Sequence, residues 1–374
     1  MNKIVFFDTY SDGSGGAPRS MLQLMSLLRQ EEIASSIVTT NKGSLYQKSI
    51  NQGFEVSIFK TPSILMKRRK DINGGGLFYL KYIFSLLFFW GYNFFNAYKM
   101  RNEKVCFNDI RCFLFFFPFA IFCRKNLIWY VRINDRVKLV TDIALRMSNK
   151  IILISNSCRK MFTVSEREKY RDKFSTVYTG FPNNKSKPFI KEKKIRIGFV
   201  GVLSKRKNIE LLIEALSHIE LKKISELEIY VVGDTKSDEK KYLLEIKEHI
   251  TKYNLSEQFK FVGFVDDVSS LYTTFDTVIM TSFAEGLPRT IIEGLSQGCY
   301  IISTDVDGAK EIVLEKYLGV VLNEYSSTEL AESIIEMVDN REGILLERHK
   351  RIEYINVNFS EKSFVNNFIQ AVKR

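Results

Sequence analysis

Proline is scarce in this 374-residue chain, with six in all, and histidine is scarcer, with three. Nothing in the chain is low-complexity, and no internal repeat recurs at solenoid periods. The histidines, His218, His249 and His349, lie far apart in polar, helix-like segments. None has a Cys, His or acidic neighbour at metal-ligand spacing, which argues against a structural metal and for surface positions. The five cysteines (Cys106, Cys112, Cys123, Cys158 and Cys299) are odd in number and form no C-x-x-C pair. They are therefore expected to be buried or half-buried thiols of a reducing cytoplasm. A signal peptide is not expected either: MNKIVFFDTYSDG turns polar after about four apolar residues and reads as a first strand.

What is present is ordinary globular material, 45% apolar and 26% charged, long enough for two domains. The net charge of +12 favours anionic partners: phosphates, nucleic acid or an acidic membrane face. The basic residues are dispersed and no recognition module is visible, so nucleic acid is not expected. Apolar runs recur as KIVFFD, SSIVTT, FEVSIF, KVCFND, LIWYVR, KIILIS and STVYTG, then IRIGFVG, LEIYVVGD, FKFVGF, TVIMTS, YIISTDV and GVVLN. Amphipathic stretches such as SMLQLMSLLRQ and NIELLIEALSHI separate them. Alternating strand and helix implies parallel sheets covered on both faces, and so many strands imply two doubly wound domains. The break is expected in the polar, basic stretch PNNKSKPFIKEKK, Pro182 to Lys194. Open α/β sheets bind ligands at the carboxyl ends of their strands, so two such domains facing each other would form an interdomain cleft.

Two aromatic runs interrupt this pattern, Leu77 to Phe95 and Phe113 to Phe122. The first is nearly long enough to cross a bilayer, but Lys81 lies inside it, Gly91 and Asn93 break its end, and the basic MKRRK, Met66 to Lys70, precedes it. Two readings stand level: core of an aromatic-rich domain, or an apolar element lying on an anionic membrane surface. A true span is the weaker third.

The stretch SFAEGLPRTIIEG, Ser282 to Gly294, carries the chemistry. TVIM ends a strand, Ser282 to Leu287 form a loop, and Pro288 suits the first position of a helix stopping near Gly298. Amides around Gly286 to Thr290 then stand at a helix N-terminus, where phosphate oxygens bind. Glu285 and Glu293 cannot receive a diphosphate, but each can accept hydrogen bonds from hydroxyl groups. A phosphate between two polyols, as in a sugar nucleotide, would satisfy both carboxylates and the amides. Upstream, a glycine turn at Gly201 leads to Lys205, Arg206 and Lys207, cations able to neutralise a diphosphate without a metal. Downstream, Gly308 marks another strand end. Near the N-terminus Gly13, Gly15 and Gly16 follow the first strand and open a helix, so backbone could approach a phosphate or sugar closely. A nicotinamide-binding loop looks similar, but wants an acid after the second strand, where Thr39, Thr40 and Asn41 stand.

Taken together these stretches resemble glycosyltransferase family 4, retaining GT-B enzymes of the glycosyl transferases group 1 type. The likeness is strongest from Ile195 to Val313. It implies two Rossmann-like domains, an acceptor-binding one at 1–184 and a nucleotide-sugar-binding one at 185–355, with a helix at 356–374 crossing back to the first. It also implies that Glu293 holds the ribose and that Glu285 faces the donor sugar and its phosphate. Gly286 and Leu287 would contact the donor through backbone, Lys207 the diphosphate, Gly15 and Gly16 the phosphates, and the turn around Val265 the base. The donor set is completed by Arg206, Ser282, Pro288 and Thr290, and the catalytic set is Glu285, Arg132 and Lys207. Two positions depart from the family: Val202 stands where arginine is frequent, leaving Lys205 or Arg206 to supply the charge, and Arg132 stands near the place of a frequent histidine. Arg132 would bind donor phosphate or an anionic acceptor, or simply pair with an acid such as Asp135. The expected activity is metal-free, retaining transfer from a nucleoside-diphosphate sugar, UDP-sugar favoured, to a saccharide or lipid-linked saccharide of a bacterial surface polysaccharide. It would take place in the cytoplasm with peripheral contact to the anionic inner membrane. A GT-B sugar-nucleotide epimerase and a non-catalytic membrane-associated protein on the same scaffold are the alternatives.

Overall fold

The computed structural model describes residues 3–9, 13, 15–67, 75–182, 188–235 and 240–373. Arg68, Arg69 and Lys70 of the basic MKRRK stretch, and residues 183–187 of the expected linker, lie outside the described residues. The chain divides into two compact units, one of Met1–Thr179 with Phe364–Arg374, the other of Gly180–Ser363.

The first unit is built on seven parallel strands: β1 (Lys3–Asp8), β2 (Ala34–Thr39), β3 (Glu55–Ile58), β4 (Lys104–Phe107), β5 (Leu127–Val131), β6 (Lys150–Leu153) and β7 (Phe174–Thr176). Their order is β3-β2-β1-β4-β5-β6-β7. Central strands of such a sheet are covered on both faces, which is why LIWYV of β5 is apolar throughout and buried at every residue. Helix α1 (Gly16–Gln30) buries Met21, Leu24, Met25 and Leu28, the stripe expected of a 3.6-residue period. The second aromatic run is core over most of its length, where Phe7 of β1 meets Phe116 and Phe119 at centroid distances of 5.0 Å each, while Ile121 near its end is exposed. The first run forms α3 (Gly76–Lys99), following α2 (Ser44–Asn51), and it buries only Leu86, Phe89, Asn93 and Ala97. Among the described residues no helix is long and apolar enough to cross a membrane.

The second unit holds six parallel strands: β8 (Ile195–Val200), β9 (Leu227–Val232), β10 (Phe259–Gly263), β11 (Thr277–Met280), β12 (Tyr300–Ser303) and β13 (Gly319–Val321). They are ordered β10-β9-β8-β11-β12-β13. All thirteen strands anticipated from the apolar runs are therefore present, in two doubly wound sheets of the GT-B kind. Its core gathers Ile197 and Phe199 of β8, Ile229 and Val231 of β9, and Leu212 and Leu216 of α4 (Ile209–Ser217). Helix α5 (Arg289–Ser296) follows β11. The last helix, α6 (Glu361–Lys373), returns the chain to the first unit, where Phe368 stacks on Phe6 and Tyr130. All five cysteines are free and buried, and all three histidines are exposed.

Candidate active site

A strand order that runs outward in both directions from its centre leaves a crevice where it reverses. In the second unit that point lies between β8 and β11, and the loops leaving their carboxyl ends carry the residues singled out in the sequence. Gly201, just past β8, sits at φ 142°, and a Cβ there would lie 3.1 Å from the Lys207 Cε. Glycine thus leaves room for the Lys207 stem to fold back over the turn. The two loops are stitched together by Thr281, whose hydroxyl donates to the carbonyls of Lys207 (2.9 Å) and Asn208 (2.7 Å). The Phe283 amide donates to the Arg206 carbonyl at 2.9 Å.

This stitching brings three expected residues into contact. Lys207, 9% exposed, donates from Nζ to Glu285 Oε1 at 2.8 Å. Arg206 Nη1 donates to the same oxygen at 2.6 Å and to the Ala284 carbonyl at 2.6 Å. Burial pushes the Glu285 carboxyl up, but the two adjoining cations outweigh it and hold the group below its ordinary value. Lys205 faces elsewhere: it pairs with Glu210 (3.2 Å) and Glu245 (2.9 Å) and lies over the Tyr242 ring. Of the two candidates for the charge missing at Val202, Arg206 is therefore the one beside Glu285.

Glu293 lies in the second turn of α5 and keeps its side chain 30% exposed. It accepts a hydrogen bond from the Tyr272 hydroxyl at 3.2 Å and pairs with Arg289 at 3.4 Å. Burial, reinforced by the Glu293 charge, raises the Tyr272 phenol well above its ordinary value, so it remains a donor at neutral pH. Pro288 stands one residue before the helix rather than on its first turn, and Arg289 opens α5. The Thr290 hydroxyl reaches back to the Val200 carbonyl at 3.4 Å, tying the start of α5 to the end of β8. Gly286, Leu287 and Pro288 are buried under Gly308, whose φ of 81° and missing side chain allow an approach that puts Pro288 Cδ 3.1 Å from a would-be Cβ. Gly308 is thus a packing glycine as well as a turn glycine. The carbonyl of buried Ser282 is held by Thr304 at 2.8 Å and by the Tyr325 hydroxyl at 3.2 Å. Val265 is half-buried in the turn after Gly263.

The remaining expected residues belong to the first unit. Gly15 precedes α1 and Gly16 is its first residue, both exposed, with no acid in the first turn of the helix. Gly13 instead packs: its amide donates to Ser44 Oγ at 2.7 Å, and a Cβ would lie 3.0 Å from the Leu45 backbone. Arg132, just past β5, donates to Asn108 Oδ1 (2.8 Å) and Ser20 Oγ (3.0 Å) and lies 3.5 Å above the centre of the Tyr130 ring. Asn108 in turn donates to Asp8 Oδ2 at 2.6 Å. Asp8 and Asn108 end β1 and follow β4, the reversal point of this sheet, and both are fully buried.

Residues 180–356, nearly the whole second unit, match the family described as Glycosyl transferases group 1. The chain is 23% identical over 310 residues to the capsular polysaccharide biosynthesis glycosyltransferase CapH of Staphylococcus aureus, covering 80% of each. The second unit belongs to the group 1 glycosyltransferases. A Campylobacter jejuni N-acetylgalactosaminyltransferase, named for a diphospho-undecaprenol-linked saccharide, is 28% identical over 152 residues but is covered over only 40% of its length. The crystal structure of Anabaena HepE with UDP and glucose superposes with a TM-score of 0.80, at 18% identity and 100% coverage of both chains. Tyr272, Arg289, Asn108 and Asp8 support the candidate residues, and the sequence alone does not point to them. Tyr272 lies 21 positions from Glu293 and Asp8 lies 100 positions from Asn108, so no local spacing connects them.

Proposed function

We propose that this glycosyltransferase moves a sugar from a nucleoside-diphosphate sugar, a UDP-sugar in first place, to a saccharide or lipid-linked saccharide of a bacterial surface polysaccharide. The second unit binds the donor and the first the acceptor. The observation that carries the reading is the Glu285 carboxylate receiving Arg206 and Lys207 at the β8/β11 crevice. Two cations on one carboxylate stand where a donor diphosphate needs its charge offset, which supports transfer without a resident metal. Glu293, partly exposed and already accepting from Tyr272, accepts further hydrogen bonds from the ribose hydroxyls. The backbone from Gly286 to Thr290 meets phosphate or sugar, and the turn at Val265 meets the base. The anomeric configuration is retained: the departing phosphate oxygen takes the acceptor hydroxyl proton while Arg206 and Lys207 stabilise the charge left on it. Arg132, held rigid by Asn108, Ser20 and the Tyr130 face, meets an anionic substrate group.

The names of the relatives support this choice of substrates: CapH acts in capsular polysaccharide biosynthesis, and HepE was solved with UDP. Both the epimerase and the non-catalytic readings are left without a favouring observation. The test is donor turnover in excess EDTA with UDP-, GDP-, ADP- and dTDP-sugars, followed by proton NMR of the product anomer. Release of one nucleoside diphosphate, unchanged by EDTA and with the donor configuration kept, is the expected result. A protein that turns over no sugar nucleotide, or an inverted product, would sink the proposal.

A further inference from the structure

Helix α3 raises a problem that the donor site does not solve. Its side toward the unit is Leu86, Phe89, Asn93 and Ala97, spaced at three and four residues. Its other sides are apolar as well, yet open: Phe84 is 70% exposed, Phe88 74%, Tyr92 72% and Phe95 74%. An apolar groove of about 230 Å³ continues this surface between Trp90, Gly91 and Phe94 on α3 and Pro118, Ile121 and Phe122. Soluble proteins rarely leave so large a contiguous aromatic surface to water.

Charge identifies the cover. Between Lys60 and Lys125 the sequence has twelve Lys and Arg against three Asp and Glu, and α3 itself contains no acid. Among the described residues, cations stand at both ends of the aromatic face. At its N-terminal end Lys67 lies over the Phe78 ring. At its C-terminal end Arg101 lies over Tyr98, and hydrogen bonds from Cys123 to Met100 and from Asn126 to Asn102 bring exposed Arg124 and Lys125 alongside. Lys81 is exposed between the two ends. Aromatic residues at the centre with lysine and arginine at the ends is the arrangement of a helix lying in a membrane interface, its cations reaching lipid phosphates. A second copy docked on the same face would set one basic rim against another, which disfavours self-association there.

We propose that α3 and the adjoining groove form a membrane-binding surface, embedded in the headgroup and upper acyl region of an anionic leaflet with the helix parallel to it. The surface works independently of donor binding and would keep the enzyme where lipid-linked acceptors lie.

The experiment is co-sedimentation of the full chain with phosphatidylcholine vesicles, with and without phosphatidylglycerol, at low and high salt. The triple variant Phe84→Ser, Phe88→Ser, Phe95→Ser is compared in parallel, and size-exclusion light scattering is run on both proteins. All three side chains are exposed, so the variant should keep its fold, which an unchanged UDP-induced thermal shift or far-UV spectrum would verify. Binding to the anionic vesicles, reduced at least tenfold in the triple variant and severalfold by salt, is the expected result. Glu293→Ala, which alters the donor site, should bind vesicles like the parent, so failure of the donor reading stays separate from failure of this one. Equal binding of parent and triple variant, or no vesicle binding, would overturn the proposal. A dimer that the triple variant abolishes would overturn it in favour of a second copy as the occupant.

Discussion

Glu285 Oε1 is the meeting point of Arg206 and Lys207, and Lys207 is nearly buried. Glu285→Gln would leave that ammonium group without its carboxylate, a loss of about 1.5–3 kcal/mol for a hydrogen-bonded charge. The sign with pH follows from the depressed folded-state value of Glu285. Its stabilisation is complete above the unfolded carboxyl value of about 4.3 and disappears as pH falls through the lower folded value. Urea unfolding should therefore separate parent from Glu285→Gln at pH 7, and the two curves should converge as pH drops below 4; a gap that persists in acid would contradict this assignment. The neighbouring lysine and arginine make a second residue-scale test. Arg206→Ala should weaken UDP binding by about tenfold, a charge-assisted hydrogen bond's worth. Lys205→Ala, which removes the pairs to Glu210 and Glu245 and the contact with the Tyr242 ring, should leave UDP affinity within twofold. Equal losses in the two variants would mean that the geometry around Glu285 does not govern donor binding.

At the scale of elements, the loop after β11 is fixed by its neighbours as much as by its own sequence. Gly308 reaches over Pro288 and Gly286, and its φ of 81° is one that side chains resist. Gly308→Ala should cost about 1–2 kcal/mol from the left-handed backbone alone. It should also lower donor affinity, because the displaced neighbours are the backbone from Gly286 to Pro288. A calorimetric Tm fall without any change in UDP affinity would show that the corner is not a donor contact. The strands were legible because parallel strands buried on both faces must be unbroken apolar runs, as in LIWYV and TVIM. The position of the site was legible because glycines and prolines punctuate loops at strand ends. What could not be read was pairing across the sheet: Thr281 to Lys207, Tyr272 to Glu293 and Asn108 to Asp8 join residues from 21 to 100 positions apart. The aromatic runs were ambiguous for a related reason. Composition is the same for Phe116, fully buried, and for Phe88, 74% exposed; only packing distinguishes them.

For the whole molecule, the division into two units makes stability separable. Phe368 belongs to the first unit although it lies near the C-terminus, fully buried against Phe6 and Tyr130. Phe368→Ala should destabilise that unit by about 3–5 kcal/mol. Unfolding should then become visibly biphasic, with the UDP-stabilised transition unmoved; a uniform shift of a single transition would contradict independent cores. The β8/β11 crevice of the second unit is proposed to bind the donor nucleotide without a metal. This is tested most directly by calorimetric titration of UDP into the full chain in excess EDTA, beside Glu293→Ala. Saturable one-to-one binding by the parent, weakened at least tenfold by Glu293→Ala, is the predicted result. Binding that requires a divalent cation, or affinity unchanged in Glu293→Ala, would contradict it.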